Sequence, residues 1–376
     1  MTMTIRKPVA LLVFCMALMV FTSAPPAQAQ TKRDTVNGIG LYGATFATEA
    51  ETIEHIQKCK SYGITVLYPS LSGGGTVVWK TDKELYYTPF REVMDEGFDS
   101  LACYIKHAHA AGIKVYPSVA VSPVNDVIAG HPEWETNDRD GRPSSQTTTR
   151  GLALSYPEAR AAKIAVIMDL VNGYDIDGVM LDYCRYPENS TNEDTKFGYY
   201  GYDKPLLDVC QSIYGFDPRQ EPIGSPRWEL FNQMRIDTVT AFVREFKEAV
   251  EASGRDIRIG GFGDTNPAYE ARMCGRSVPA WAQAGLIDDY FLATYTQQPG
   301  EMTDQVVLAR ELAGSDVKLL TALSPFNRFH STHEIMLQVA KEQLAAGADG
   351  LWIYRSDYLE EMDLWHSAQA AAEMIR

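Results

Sequence analysis

From Asn37 onward, short apolar runs alternate with longer segments in which apolar residues recur every three or four positions. The runs are Asn37 to Tyr42, Ile64 to Tyr68, Ile113 to Tyr116, Ile176 to Asp182, Ile257 to Phe262, Ile287 to Tyr295, Val317 to Leu323 and Gly350 to Arg355. Runs of this length, bounded by turn residues and separated by helix-period segments, predict parallel strands. The helices carry start and stop signals. Glu49 to Ser61 stops at Gly63, and Asp99 caps a helix to Ala111 that Gly112 ends. Ser155 and Glu158 form a capping box for a helix closed by Gly173, and Pro226 opens a helix to Ser253. Helices follow over Val278 to Ala284 and Met302 to Ala313, then from the capping box Ser331/Glu334 to Ala346, and at the C-terminus. Eight strands, each followed by a helix, predict a single (β/α)8 barrel. An open doubly wound sheet is the alternative, and needs fewer strands or a reversal of order.

One stretch concentrates the chemistry: Tyr174-Asp-Ile-Asp-Gly-Val-Met-Leu-Asp-Tyr-Cys-Arg-Tyr-Pro187. It reads as a buried strand ending at a carboxylate, Asp182. Alternation puts Gly178, Met180 and Asp182 on one face and Val179 and Leu181 on the other. In a barrel the first set faces the axis and the second faces the helices. The connections after strands two, three and four are long: Leu71 to Phe98, Val121 to Ser155 and Tyr183 to Ser225. In a barrel they rise from the catalytic face. They carry Trp79, Tyr86, Tyr87, Trp134, Tyr186, Tyr199, Tyr200 and Tyr202, which serve either to stack on sugar rings or to hold the loops together. Strands two and three both end in Tyr-Pro-Ser, at Tyr68 and Tyr116, which predicts hydroxyls at one rim.

Residues 1–29 stand apart. Arg6 and Lys7 precede an apolar run from Val9 to Val20, and Ala27-Gln28-Ala29 is a small-x-small site, so a secretory signal peptide is expected, with a single domain over 30–376. An exported or periplasmic protein follows, with no membrane segment after cleavage. The whole chain has formal charge −15, and residues 1–29 hold two cations and no acid, so the mature charge is −17. Such a surface disfavours nucleic acid and favours neutral or cationic ligands. Cys59, Cys103, Cys184, Cys210 and Cys274 are scattered without a C-x-x-C pair, leaving disulfides or buried thiols open. His107 and His109 are two apart on a helix and make a poor metal pair; no metal and no cofactor are expected.

Five motifs then occur in order: Phe98-Asp-Ser-Leu-Ala; Ala108-His-Ala-Ala-Gly-Ile-Lys-Val115; His131-Pro-Glu-Trp134; Leu154-Ser-Tyr-Pro-Glu-Ala-Arg160; and the strand-four stretch. Together they resemble the glycosyl-hydrolase-like 10 group of secreted bacterial (β/α)8 barrels, well over Val36 to Pro187 and more loosely to the C-terminus. The resemblance implies action on glycans, in some members on peptidoglycan strands. Two related patterns differ. Met180 stands where alpha-amylase-type barrels have Arg, and Cys184 where chitinase-type barrels have Glu.

Glycoside hydrolysis usually needs two carboxyl groups. Asp182 is the first candidate, alternatively a structural partner of Arg185. Asp264, ending strand five after Gly260-Gly-Phe-Gly263, is the second; as a turn former it has a structural alternative too. Glu188 is a further possibility in the fourth loop. Candidate substrate contacts are Arg185, Tyr183, Trp134, Tyr68, Tyr116, Tyr295, Trp79 and Asp357, although Asp357 and Glu360 also read as a capping box. A glycoside hydrolase and a catalytically silent glycan-binding barrel both remain open. A metal-dependent hydrolase would need His at strand ends, where the sequence has none.

Overall fold

The computed structural model describes residues 38–43, 45–73, 76–81, 97–123, 130–146, 150–188, 199–295, 298–325 and 332–375. Residues 1–29, where a signal peptide is expected, Tyr86, Tyr87 and Ser331 lie outside the described residues; the N-cap of the helix expected to start at Ser331 is Thr332, whose Oγ1 accepts from Ile335 N at 3.3 Å.

The sheet contains nine parallel segments whose two end members are consecutive in the chain, Lys114–Val115 and Ser118–Ala120. They are two halves of one strand, β3, broken at Tyr116-Pro117. Pro117 has no N–H to give to a ladder. The ring nevertheless closes on both sides of the break. Tyr116 N donates to Leu67 O at 2.8 Å, and Met180 N donates to Pro117 O at 2.8 Å. The other barrel strands are β1 (Ile39–Gly43), β2 (Ile64–Pro69), β4 (Gly178–Asp182), β5 (Arg258–Asp264), β6 (Asp289–Ala293), β7 (Lys318–Leu323) and β8 (Gly350–Tyr354). β1 pairs with both β2 and β8. The fold is a single (β/α)8 barrel, and the open-sheet alternative is set aside.

The helices are α1 (Glu49–Ser61), α2 (Ser100–Ala110), α3 (Pro157–Gly173), α4 (Lys204–Tyr214), α5 (Pro226–Ser253), α6 (Pro267–Cys274), α7 (Val278–Gln283), α8 (Thr303–Ala313), α9 (His333–Ala345), α10 (Ser356–Glu361) and α11 (Trp365–Ile375). Asp99 caps α2 as expected, accepting from Ala102 N at 2.9 Å. The proposed box at Ser155 does not form. α3 starts after Tyr156, and Ser155 Oγ donates instead to buried Asp203 at 3.0 Å. The box at Asp357 does not form either, because Arg355 is the N-cap of α10 and Asp357 binds its guanidinium. α4 and α6 were not anticipated. No helix among the described residues is long and apolar enough to cross a membrane.

The alternation on β4 is as expected. Val179 and Leu181 join the large core between sheet and helices, while Met180 joins a separate cluster inside the barrel. That inner cluster includes Val66, Tyr68, Tyr116, Phe291, Leu320 and Trp352. Its rings meet edge to face, Tyr68 and Phe291 at 5.1 Å and 86°, the arrangement that the ring quadrupoles favour. Glycines on neighbouring strands make the holes these rings fill. A Cβ on Gly178 would fall 2.4 Å from the Tyr116 ring, and one on Gly40 2.0 Å from the Tyr68 ring. Lower in the barrel, Arg258 makes two bonds to buried Asp289, at 2.6 and 2.8 Å, and Tyr116 Oη donates to the same carboxylate at 2.9 Å.

Candidate active site

At the end of β4 the chain turns sharply. Val121 N and Ser122 N donate to the carbonyls of Asp182 and Tyr183, at 2.9 and 3.0 Å, and fix the backbone. Tyr183 has φ 45°, an unfavourable region for a residue with a Cβ. This turn throws the Tyr183 ring outward, 47% exposed, and carries Cys184 into the core. Such strain held by surrounding hydrogen bonds is common where a side chain must be aimed.

β5, the neighbouring strand, supplies the second carboxylate. Met180 pairs with Gly260 and Leu181 with Gly261, so Phe262 is level with Asp182 and Asp264 stands two residues higher on the same face. Asp264 is exposed, and its Oδ1 accepts from Thr265 N at 2.6 Å and Thr265 Oγ1 at 3.0 Å. Both aspartates line one cleft of about 320 Å³ at the C-terminal end of the strands, where barrel enzymes place their chemistry. Tyr183, Arg185, Glu188 and Tyr295 line it as well.

Asp182 is half-buried. Burial raises its pKa; Arg276, the Tyr183 N–H and Arg185 act in the opposite direction. Tyr295 and Tyr42, whose own hydroxyls are pushed up by burial and then by the Asp182 charge, stand around it. Arg185 does not pair with Asp182. Its Nη1 meets Glu188 at 3.0 Å.

Arg276 was not apparent in the sequence. It is 4% exposed, lines the cleft, and forms an ion pair with buried Glu270 of α6. Its Nε has no acceptor among the described residues, and neither has that of Arg185. Two buried N–H donors therefore face unmet demand in one cleft, a situation that a ligand oxygen would relieve. Tyr42 and Tyr354, ending β1 and β8, were also missed. Their signal was available: both are strand-end tyrosines, like Tyr68.

Several expected contacts lie elsewhere. Tyr68 and Tyr116 are buried inside the barrel, below the rim. Trp79 is fully buried, its Nε1 donating to Val166 O of α3 at 3.0 Å. Trp134 is half-buried, stacked on His131 at 3.8 Å, and does not line the cleft. Asp357 lines a neighbouring cavity. Tyr199 and Tyr202 pack with Trp228 and Phe231 in a satellite core under the β4–β5 connection, and Tyr186 and Tyr200 are likewise buried. These rings hold the loops.

All five cysteines of the described residues are free and buried. Glu49, Cys103 and His107 bring three possible metal-ligand atoms within 4.8 Å of one another. The Glu49 oxygen there already meets Lys106 at 3.2 Å and His107 at 2.7 Å, and the group does not line the cleft.

No curated protein matches the chain. Among solved structures, the catalytic domain of beta-amylase from Paenibacillus polymyxa is similar with TM-score 0.66 at 11% identity, over 89% of this chain and 98% of that one. A beta-galactosidase from the psychrophilic Marinomonas ef1 gives TM-score 0.59 at 13% identity, over 85% of this chain. Alpha-L-fucosidase isoenzyme 2 from Paenibacillus thiaminolyticus gives 0.58 at 14% identity, over 90%. The chain spans 54% of that galactosidase and 49% of that fucosidase. At these identities the likeness concerns the barrel. The sequence match is more particular: the model of the glycosyl hydrolase-like 10 family covers residues 35–322, and the chain belongs to that family.

Proposed function

We propose that this protein is an exported glycoside hydrolase that cleaves a poly- or oligosaccharide with Asp182 and Asp264. The observation that carries the reading is the presence of both carboxylates in one cleft, in unlike surroundings. Two acids in different environments divide the labour of glycoside cleavage. Burial favours the protonated form of Asp182, so Asp182 gives its proton to the departing glycosidic oxygen. Asp264, open to water, serves as the second carboxylate and takes a proton from the attacking water as the C–O bond breaks. The exposed Tyr183 ring offers a face for a sugar, and the orphaned Nε–H groups of Arg185 and Arg276 offer donors to its hydroxyls. Export rests on residues 1–29, and a cell-wall glycan is one substrate the family membership makes reasonable.

Product analysis on a panel of cell-wall, plant and algal glycans tests the activity, with Asp182→Asn as control. Cleavage by the wild type and none by the variant is expected. Binding without any cleavage across the panel would establish the silent glycan-binding barrel instead. N-terminal sequencing of exported protein tests the leader: a start within a residue or two of Gln30 is expected, and an intact membrane-held form beginning at Met1 would overturn it.

A further inference from the structure

The cleft does not end at its own walls. Tyr42 and Tyr354 line both it and a larger cavity of about 830 Å³ on the β1–β8 side. One wall of this groove is a single stripe of α1, formed by Glu51, Glu54, His55 and Lys58, whose spacing puts them on one helix face. The chain after β8 supplies Arg355, Asp357, Glu360 and Trp365 to the lining.

The charges are unequal. Lys58 pairs with Glu360, and Arg355 with Asp357 at 2.6 Å. Glu51 and Glu54 have no cation partner among the described residues, which leaves a net charge of two negatives. Burial pushes His55 down to about 4, so its imidazole adds no positive charge at neutral pH. Trp365 is 3% exposed, has Lys58 over its ring at 4.8 Å, and its Nε1–H lacks an acceptor. A buried indole N–H normally finds a partner. A ligand hydroxyl in the groove would provide one.

We infer that this groove is a second carbohydrate-binding region, continuous with the cleft, that accepts uncharged or amine-bearing sugars and rejects carboxylate-bearing ones. The inference rests on the glycan reading above for the class of ligand. Its selectivity follows from the groove alone. A uronic acid placed beside Glu51 and Glu54 meets repulsion without a free cation, whereas an amino sugar gains two partners.

The test uses three tetrasaccharides of one length: glucosamine (cationic), N-acetylglucosamine (neutral) and galacturonic acid (anionic). Calorimetric titration into the full-length Asp182→Asn protein at low salt should rank them in that order, with about tenfold between the first and last. Glu54→Gln, an exposed and therefore mild change, should weaken the cationic probe about threefold and leave the neutral one unchanged. Trp365→Phe keeps a ring and removes the N–H, and should weaken the neutral probe by a similar factor. Equal binding of the anionic probe, or a ranking that Glu54→Gln does not alter, would overturn the proposal. A protein that ranks the probes as stated yet cleaves no glycan retains the groove and loses the hydrolase reading. Cleavage without the ranking does the reverse.

Discussion

Asp264 stands two residues farther along β5 than Phe262, the residue level with Asp182 on β4. With strands about 4.8 Å apart and a rise of about 3.3 Å per residue, the two Cα atoms are about 8 Å apart, and both side chains project from the inner face. Carboxyl groups that keep about the spacing of these Cα atoms fall in the roughly 6.5–9.5 Å range that leaves room for a water between base and sugar. The expected outcome is inversion of the anomeric centre. Proton NMR of the first product formed from a cleaved glycan reads this directly, and a retained anomer would require a closer pair.

Asp182→Asn keeps the shape of the side chain and removes the proton that the proposed acid would deliver. Turnover is expected to fall at least 100-fold, about 2.7 kcal/mol at ~1.4 kcal/mol per tenfold. Glycan affinity is expected to persist. The melting temperature at neutral pH should not fall, because burial favours the neutral form of Asp182 and the amide is neutral too. A variant that melts normally and turns over at the wild-type rate would take Asp182 out of the mechanism.

Buried Asp203 ties together the connection after β3. It accepts from Thr136 Oγ1 at 2.8 Å, Asn137 N at 3.0 Å and Ser155 Oγ at 3.0 Å. Burial nevertheless pushes its pKa up to about 6, against an ordinary 3.8. A raised carboxyl pKa means that the folded state holds the proton more tightly. Stability from this group is therefore full below the unfolded value and falls as pH rises toward 6. Asp203→Asn is free of that dependence. Its stability relative to wild type, followed by melting, should climb between pH 4 and pH 7, by at most about 1.4 kcal/mol per pH unit. Parallel melting curves across that range would exclude the assignment.

Arg235 is fully buried, and its guanidinium gives Nε to Tyr200 O at 2.6 Å, Nη1 to Asn232 Oδ1 at 2.6 Å and Arg272 O at 2.9 Å, and Nη2 to Met273 O at 2.8 Å. Arg235→Met fills much of the space but takes the donor away from three backbone carbonyls and Asn232 Oδ1. Each buried orphan costs about 1–3 kcal/mol, so a loss of about 3 kcal/mol or more is expected in denaturant melts. A loss under 1 kcal/mol would mean that water replaces the guanidinium.

The barrel was legible because strand and helix periods alternate cleanly, and Asp182 because an apolar run ends on a charge. Depth within the barrel was not legible. Tyr68 and Tyr116 look like rim residues until Gly40 and Gly178, on neighbouring strands, are seen to open the holes that receive them. That information is cross-strand and absent from local pattern. Ser155 read as a cap because its spacing to Glu158 fits, but Asp203, 48 residues away, is the partner it binds. Arg276 escaped notice because α6 is short and follows a glycine-rich strand, so nothing local marks a buried cation there.

The bonds of Arg235 have a consequence for engineering. One side chain in α5, outside the cleft, joins the segment at Tyr200 to the backbone at Arg272 and Met273, a few residues before Arg276. The excursion after β4 and the turn that presents Arg276 are thus a single module. Grafting either piece alone onto another barrel would leave Arg235 or its acceptors behind, so a chimera has to move α5, the excursion and α6 together.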